Sequence, residues 1–150
     1  MPLKLVVDAV EGRLAADWSS ETAVQARLDA GLGECPVFGV NFEGDTPAED
    51  GTFVQVSYPV ANGEQLTIGA PGSNVYRETG TFQLDVMARR AGGVADGLTL
   101  ADQLAALFRG KEFGGVQTFA PSSPAIDDRN DNGRYFILSV AVPYQADLFG

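Results

Sequence analysis

Apolar residues recur at close to helical spacing near the N-terminus, where Leu3, Leu5, Val6, Val10 and Leu14 approximate the helical period and Ala15 and Ala16 extend it toward Trp18. This predicts a first helix. Ala23, Val24, Ala26, Arg27 and Leu28 predict a second helical piece stopped by Gly31 and Gly33, the two being either continuous or broken near Trp18. A polar, turn-rich stretch with Gly44, Asp45, Pro47 and Asp50 follows. Beyond it the pattern turns extended: residues 52–58, a turn at Asn62-Gly63, residues 66–68, and a longer run over 75–87. In that run Phe82, Leu84 and Val86 alternate with Thr81, Gln83 and Asp85, which predicts a strand with one wetter face. Leu98, Ala101, Leu104, Ala105 and Phe108, broadened by Leu100 and Leu107, predict a helix between Gly97 and Gly110. Residues 113–119 read as a short strand and 121–133 as a loop.

The last segment is the most apolar. Tyr135, Ile137, Ser139 and Ala141 would line one face of a strand, and Phe136, Leu138, Val140 and Val142 the other, because successive side chains alternate. Both faces being largely apolar, this strand belongs inside a covered sheet, or inside one whose second face is buried by a neighbouring subunit. Pro143 is expected to stop it, with Tyr144 and Asp147 beyond. Strands and helices without a repeat predict a single α+β domain over residues 1–150: a mixed or antiparallel sheet packed by an N-terminal helix and a helix near 97–109.

Composition fits that picture. At 150 residues, 45% hydrophobic and 20% charged, the chain suits one soluble globular domain. The N-terminal apolar run is interrupted by Lys4, Asp8 and Glu11, and nothing approaches the roughly 20 apolar residues of a bilayer span, so neither signal peptide nor membrane anchor is expected. The net charge of −10 argues against gripping a nucleic-acid backbone, which needs clustered cations. An acidic surface would instead suit a passage through which DNA slides without sticking. Arg89 and Arg90 form a lone basic pair.

The chemistry available is narrow. Histidine is absent, which removes Ser-His-Asp and Cys-His catalysis and histidine metal ligation. Cys35 is single, and beside Pro36, Val37 and Phe38 it reads as a small buried hydrophobe. Asp128, Asn130 and Asn132 with Gly133 match the first half of a calcium loop, but the bidentate Glu register falls at Ser139, and Pro121 and Pro124 replace the lead-in helix. A solvated turn explains them better. Residues 69–74 and Gly110-Lys111-Glu112 lack the ending or the following helix of a phosphate loop. The pairs Glu49-Asp50 and Asp127-Asp128 sit in polar loops and read as solvated charge. No enzyme activity and no cofactor are expected.

The order of elements resembles a known family. RETGTFQLDVMAR, LTLADQLAALFRG, the loop with APSSPAIDD and GRYFILSVAVPYQAD are similar to the tail-terminator-like proteins of long-tailed bacteriophages. In that family a strand ending in a core like Asp85-Val86 is followed by a helix ending like Leu107-Phe108. A closing strand then finishes as Pro143, Tyr144, Gln145, Ala146 and Asp147 do here. The likeness runs from about Phe53 onward and, more faintly, through the N-terminal helix and VFGVNFE.

The resemblance implies a structural virion protein, assembled in the host bacterial cytoplasm, whose copies close into a hexameric ring on the tail tube. It would stop tube polymerisation and meet a head-side connector or stopper protein, with DNA passing through unbound. Ring closure is head-to-tail and needs two different patches per subunit. Tyr76 and Arg77 at a loop-to-strand transition, Arg89 and Arg90, and Tyr144 are the expected interface residues. An acidic loop, 45–51 or 127–133, would order on docking to a neighbouring ring. Another head-tail connector or tail-completion role, and a small calcium- or ligand-binding domain using Asp128, Asn130 and Asn132, stand as alternatives.

Overall fold

The computed structural model describes residues 2–40, 51–89, 94–127 and 135–150. The N-terminal apolar period forms helix α1 (Lys4–Arg13), which buries Val6 and Val10. It runs on into a π-helical turn over Leu14–Trp18, where the Ser19 N–H donates to the Leu14 carbonyl at 2.9 Å. The break comes just past Trp18, whose indole N–H donates to the Cys35 carbonyl at 3.0 Å while the Arg27 guanidinium lies 4.1 Å above the ring. Ser20 then caps helix α2 (Glu21–Asp29) by accepting from the Ala23 N–H. At the other end the Leu32 and Gly31 amides return to the Arg27 and Leu28 carbonyls, a Schellman closure.

The seven described strands form one mixed sheet. Strand β1 (Val37–Phe38) runs parallel to β2 (Phe53–Gln65), which pairs antiparallel with β3 (Val75–Arg89). After helix α3 (Ala95–Phe108) come β4 (Glu112–Phe113), β5 (Val116–Thr118) and β6 (Ala125–Asp127). The last strand, β7 (Tyr135–Phe149), pairs with β3 along its whole length. The order is β1-β2-β3-β7-β5-β4, with β6 beside β5 on the same side of β7. The expected α+β architecture is present, and the final strand is an inner one.

Period-two patterning decides which face is buried. Val54, Val56 and Tyr58 from β2, Phe82, Leu84, Val86 and Ala88 from β3, and Leu138, Val140, Val142, Tyr144 and Ala146 from β7 share one face. Against it pack Val6 and Val10 of α1, then Leu100, Ala101, Leu104, Ala105 and Phe108 of α3. Helix α3 comes so close that a Cβ on Gly97 would lie 2.7 Å from Leu138 Cδ1 and 3.3 Å from Ala88 Cβ, so any larger residue there would have to displace the Leu138 side chain. The opposite face carries no described helix. It holds the cluster in which Ser139 and Gln83 donate to Asp85 Oδ1, at 2.7 and 2.8 Å, beside half-buried Met87, Ile137 and Ala141.

Five expectations are corrected. Pro143 does not stop β7: its carbonyl accepts from the Phe119 N–H at 3.0 Å, so its missing N–H faces the irregular segment 119–122 and costs no bond with β3. Asn62-Gly63 is not a turn, since both sit inside β2 opposite Thr79 and Glu78. The hairpin turns at residues 66–74 instead, where no strand forms over 66–68. Gly69 and Gly72 take positive φ there, 98° and 85°, and Asn74 Oδ1 accepts from the Ala70 N–H and the Thr67 hydroxyl. The predicted strand 113–119 is a hairpin, β4 and β5 joined at Gly114-Gly115, and the predicted loop 121–133 contains β6.

Candidate functional site

The far end of the sheet extends past the helices as an arm made of the β2–β3 hairpin and the end of β7. Tyr76 and Arg77 both lie on this arm, on opposite faces because they are adjacent strand residues. Tyr76 pairs with Gln65 and Leu148 and lines, with Leu3, Gly63, Arg77 and Glu78, a surface groove of about 360 Å³. Arg77 grips Asp147 as a fork, Nε to Oδ1 at 2.7 Å and an Nη to Oδ2 at 2.8 Å. Those two hydrogen bonds hold the Asp147 carboxyl below its usual range and raise the guanidinium. Asp147 stands 70 residues away from Arg77, so the pair was not legible as a pair in the chain.

Tyr144 is placed differently from the other named residues. Its ring is buried in the core, and its hydroxyl donates to Glu78 Oε1 at 2.7 Å. Burial first, then that hydrogen bond, push the phenol well above its ordinary pKa, so it acts as a neutral donor. Arg89 ends β3, while Arg90 lies outside the described residues, as do Asp128, Asn130 and Asn132. Among the described residues no three carboxylate or cysteine side chains gather to hold a metal.

Sequence reasoning missed Glu78. Its side chain is 7% exposed and its two oxygens accept from the Leu3 N–H at 3.2 and 3.0 Å, in addition to the Tyr144 hydroxyl. The signal was available, since Glu78 continues the buried phase of Phe82, Leu84 and Val86 toward the start of β3. Tyr58 is the contrasting case. Its hydroxyl is buried with no hydrogen-bond partner among the described residues, and burial raises its pKa, with Glu11 and Asp8 adding to the shift.

Cys35 is inert by the same physics. Burial pushes its thiol up to about 12 against a smaller opposing pull from Arg27, so almost no thiolate exists near neutral pH. The folded protein is therefore expected to resist iodoacetamide at pH 8, while the urea-unfolded chain alkylates to one equivalent. Mass spectrometry reads the difference. Stoichiometric labelling of the folded protein would contradict this burial.

With this arrangement the chain offers surfaces rather than an assembled catalytic centre among the described residues. A family model described as phage tail terminator protein matches residues 6–144, from within α1 to the buried Tyr144. The chain belongs to the phage tail terminator family. Its role is therefore that of a structural component of a phage tail, and the family is one of structural proteins. Among the solved structures that are similar, one shares 21% identity with a TM-score of 0.58, covering 100% of this chain and 99% of its own, and it supports the fold. No curated protein matches the chain.

Proposed function

We propose that the chain closes into a ring that caps the tail tube, ends tube polymerisation and presents the surface to which the head-side connector joins. Membership of the terminator family over residues 6–144 carries this reading. The net charge of −10 supports it, since an acidic ring repels the DNA backbone that must pass through it. The protein then works by binding alone, without catalysis or cofactor, and its partners are its own copies, the tube protein and the connector.

Deletion of the gene tests the reading. Tubes of indefinite length, seen by electron microscopy and restored to a fixed length by the gene supplied in trans, are expected. Tails of normal length that merely fail to join heads would assign the chain to another joining role.

A further inference from the structure

We propose that copies associate edge to edge through the sheet, the outer edge of β2 on one copy meeting segment 119–126 on the next. This rests on the ring reading and names the surfaces that close it. Charge distribution carries the argument. The chain has 20 acidic and 10 basic side chains, yet residues 51–76 contain only Glu64 and residues 113–126 contain none. The uncharged stretch 135–146 is explained by burial, because it is the central strand. Burial does not explain the other two. Gln55, Pro59, Val60, Asn62 and all of residues 64–73 are exposed, as are Gln117, Phe119 and Ile126.

The two stretches occupy opposite sides of the sheet. Strand β1 covers β2 only at Val54 and Gln55, so residues 56–65 have β3 on one side and no described strand on the other. Across the sheet, β6 pairs with β7 and with no other described strand. Proteins that stay monomeric blunt such edges with lysines, prolines and bulges. Here Pro59, at the register shift between Ser57 and Val60, interrupts one point, and the six residues beyond it carry no cation.

The occupant follows from the same charges. Each copy bears −10, so copies repel one another on balance, and least where charge is missing. Exposed apolar side chains stand at both places: Val60 at 47% and Ile68 at 90% on the β2 side, Phe119 at 41% and Ile126 at 60% on the other. Burying them supplies the drive. Two different edges on one subunit make the contact head-to-tail, the kind that closes into rings.

The test uses Val60→Lys and Ile126→Glu, both at exposed positions that leave the core untouched. Each variant alone is expected to lose about tenfold or more in association, falling from ring mass toward monomer by multi-angle light scattering. Their equimolar mixture is expected to regain ring mass, because the two substituted positions, now oppositely charged, would face each other across one contact while the alternate contacts stay native. Ring mass unchanged in either variant, or a mixture that stays dissociated, overturns the proposal while leaving the ring reading intact. If the unmodified chain forms no ring, alone or on isolated tail tubes, the ring reading fails and this proposal with it.

Discussion

Phe82→Ala is expected to lower the free energy of unfolding by about 3–5 kcal/mol, the range for deleting a fully buried aromatic ring. Phe82 is completely buried at the middle of β3 and packs against three other rings: Phe108 of α3 at 5.0 Å between centroids, Tyr144 of β7 at 6.1 Å and Tyr58 of β2 at 6.4 Å. It is the point where three central strands and a helix meet. The loss would be felt at every one of those contacts, and the sheet cannot collapse to fill the space because its ladder fixes strand spacing. Urea denaturation followed by tryptophan fluorescence measures the change, Trp18 being the single, buried reporter. Phe82→Leu, which keeps much of the volume, should cost clearly less. A loss under about 1 kcal/mol for the alanine variant would mean that these rings do not form the centre of the core.

Helix α3 and strand β3 were legible in the sequence because each carries many turns or alternations of one period, and a long periodic signal survives local exceptions. Strands β1 and β6 were not, since two or three residues carry no period at all. The misplaced turn at Asn62-Gly63 shows local preference overridden by pairing: a dipeptide that favours a tight turn was held extended by its ladder with Thr79 and Glu78. The true turn depends on Asn74, whose own backbone is tied to Gly150 by two hydrogen bonds of 3.0 Å, a contact that no local reading reveals. Pro143 teaches the same lesson in reverse. Whether a proline breaks a strand depends on which side its missing N–H faces, and that is settled by a neighbour well upstream in the chain, Phe119.

Candidate surfaces were less legible than the fold. Tyr76 and Arg77 both border one groove at the beginning of a strand, but alternation sends their side chains to opposite faces and gives Arg77 an internal partner. Tyr144, noticed as part of a family ending, is an organising group of the core. The two uncharged stretches were visible in the chain all along. Their meaning needed the sheet order, which alone shows that one lies at each edge.

Glu78→Ala is expected to cost about 1–3 kcal/mol for the buried Tyr144 hydroxyl it strands. The Leu3 amide loses its acceptor as well, in a part-buried bond that adds less, and both groups lie where the N-terminal segment meets the base of the arm. Tyr144→Phe removes only one of these bonds and leaves the carboxylate buried with the Leu3 amide, so it should cost less than Glu78→Ala while preserving ring packing against Phe82. If the two side chains act through each other, the double variant costs less than the sum of the singles, and the shortfall measures their coupling. Hydrogen exchange separates this from a general loosening of the fold. Glu78→Ala should speed exchange at the Leu3 amide far more than at Leu84 or Val140 in the sheet centre, because the carboxylate ties down the N-terminal segment directly. Uniform acceleration across the sheet would show Glu78 to be an ordinary core residue, and unchanged exchange at Leu3 would remove the clasp altogether.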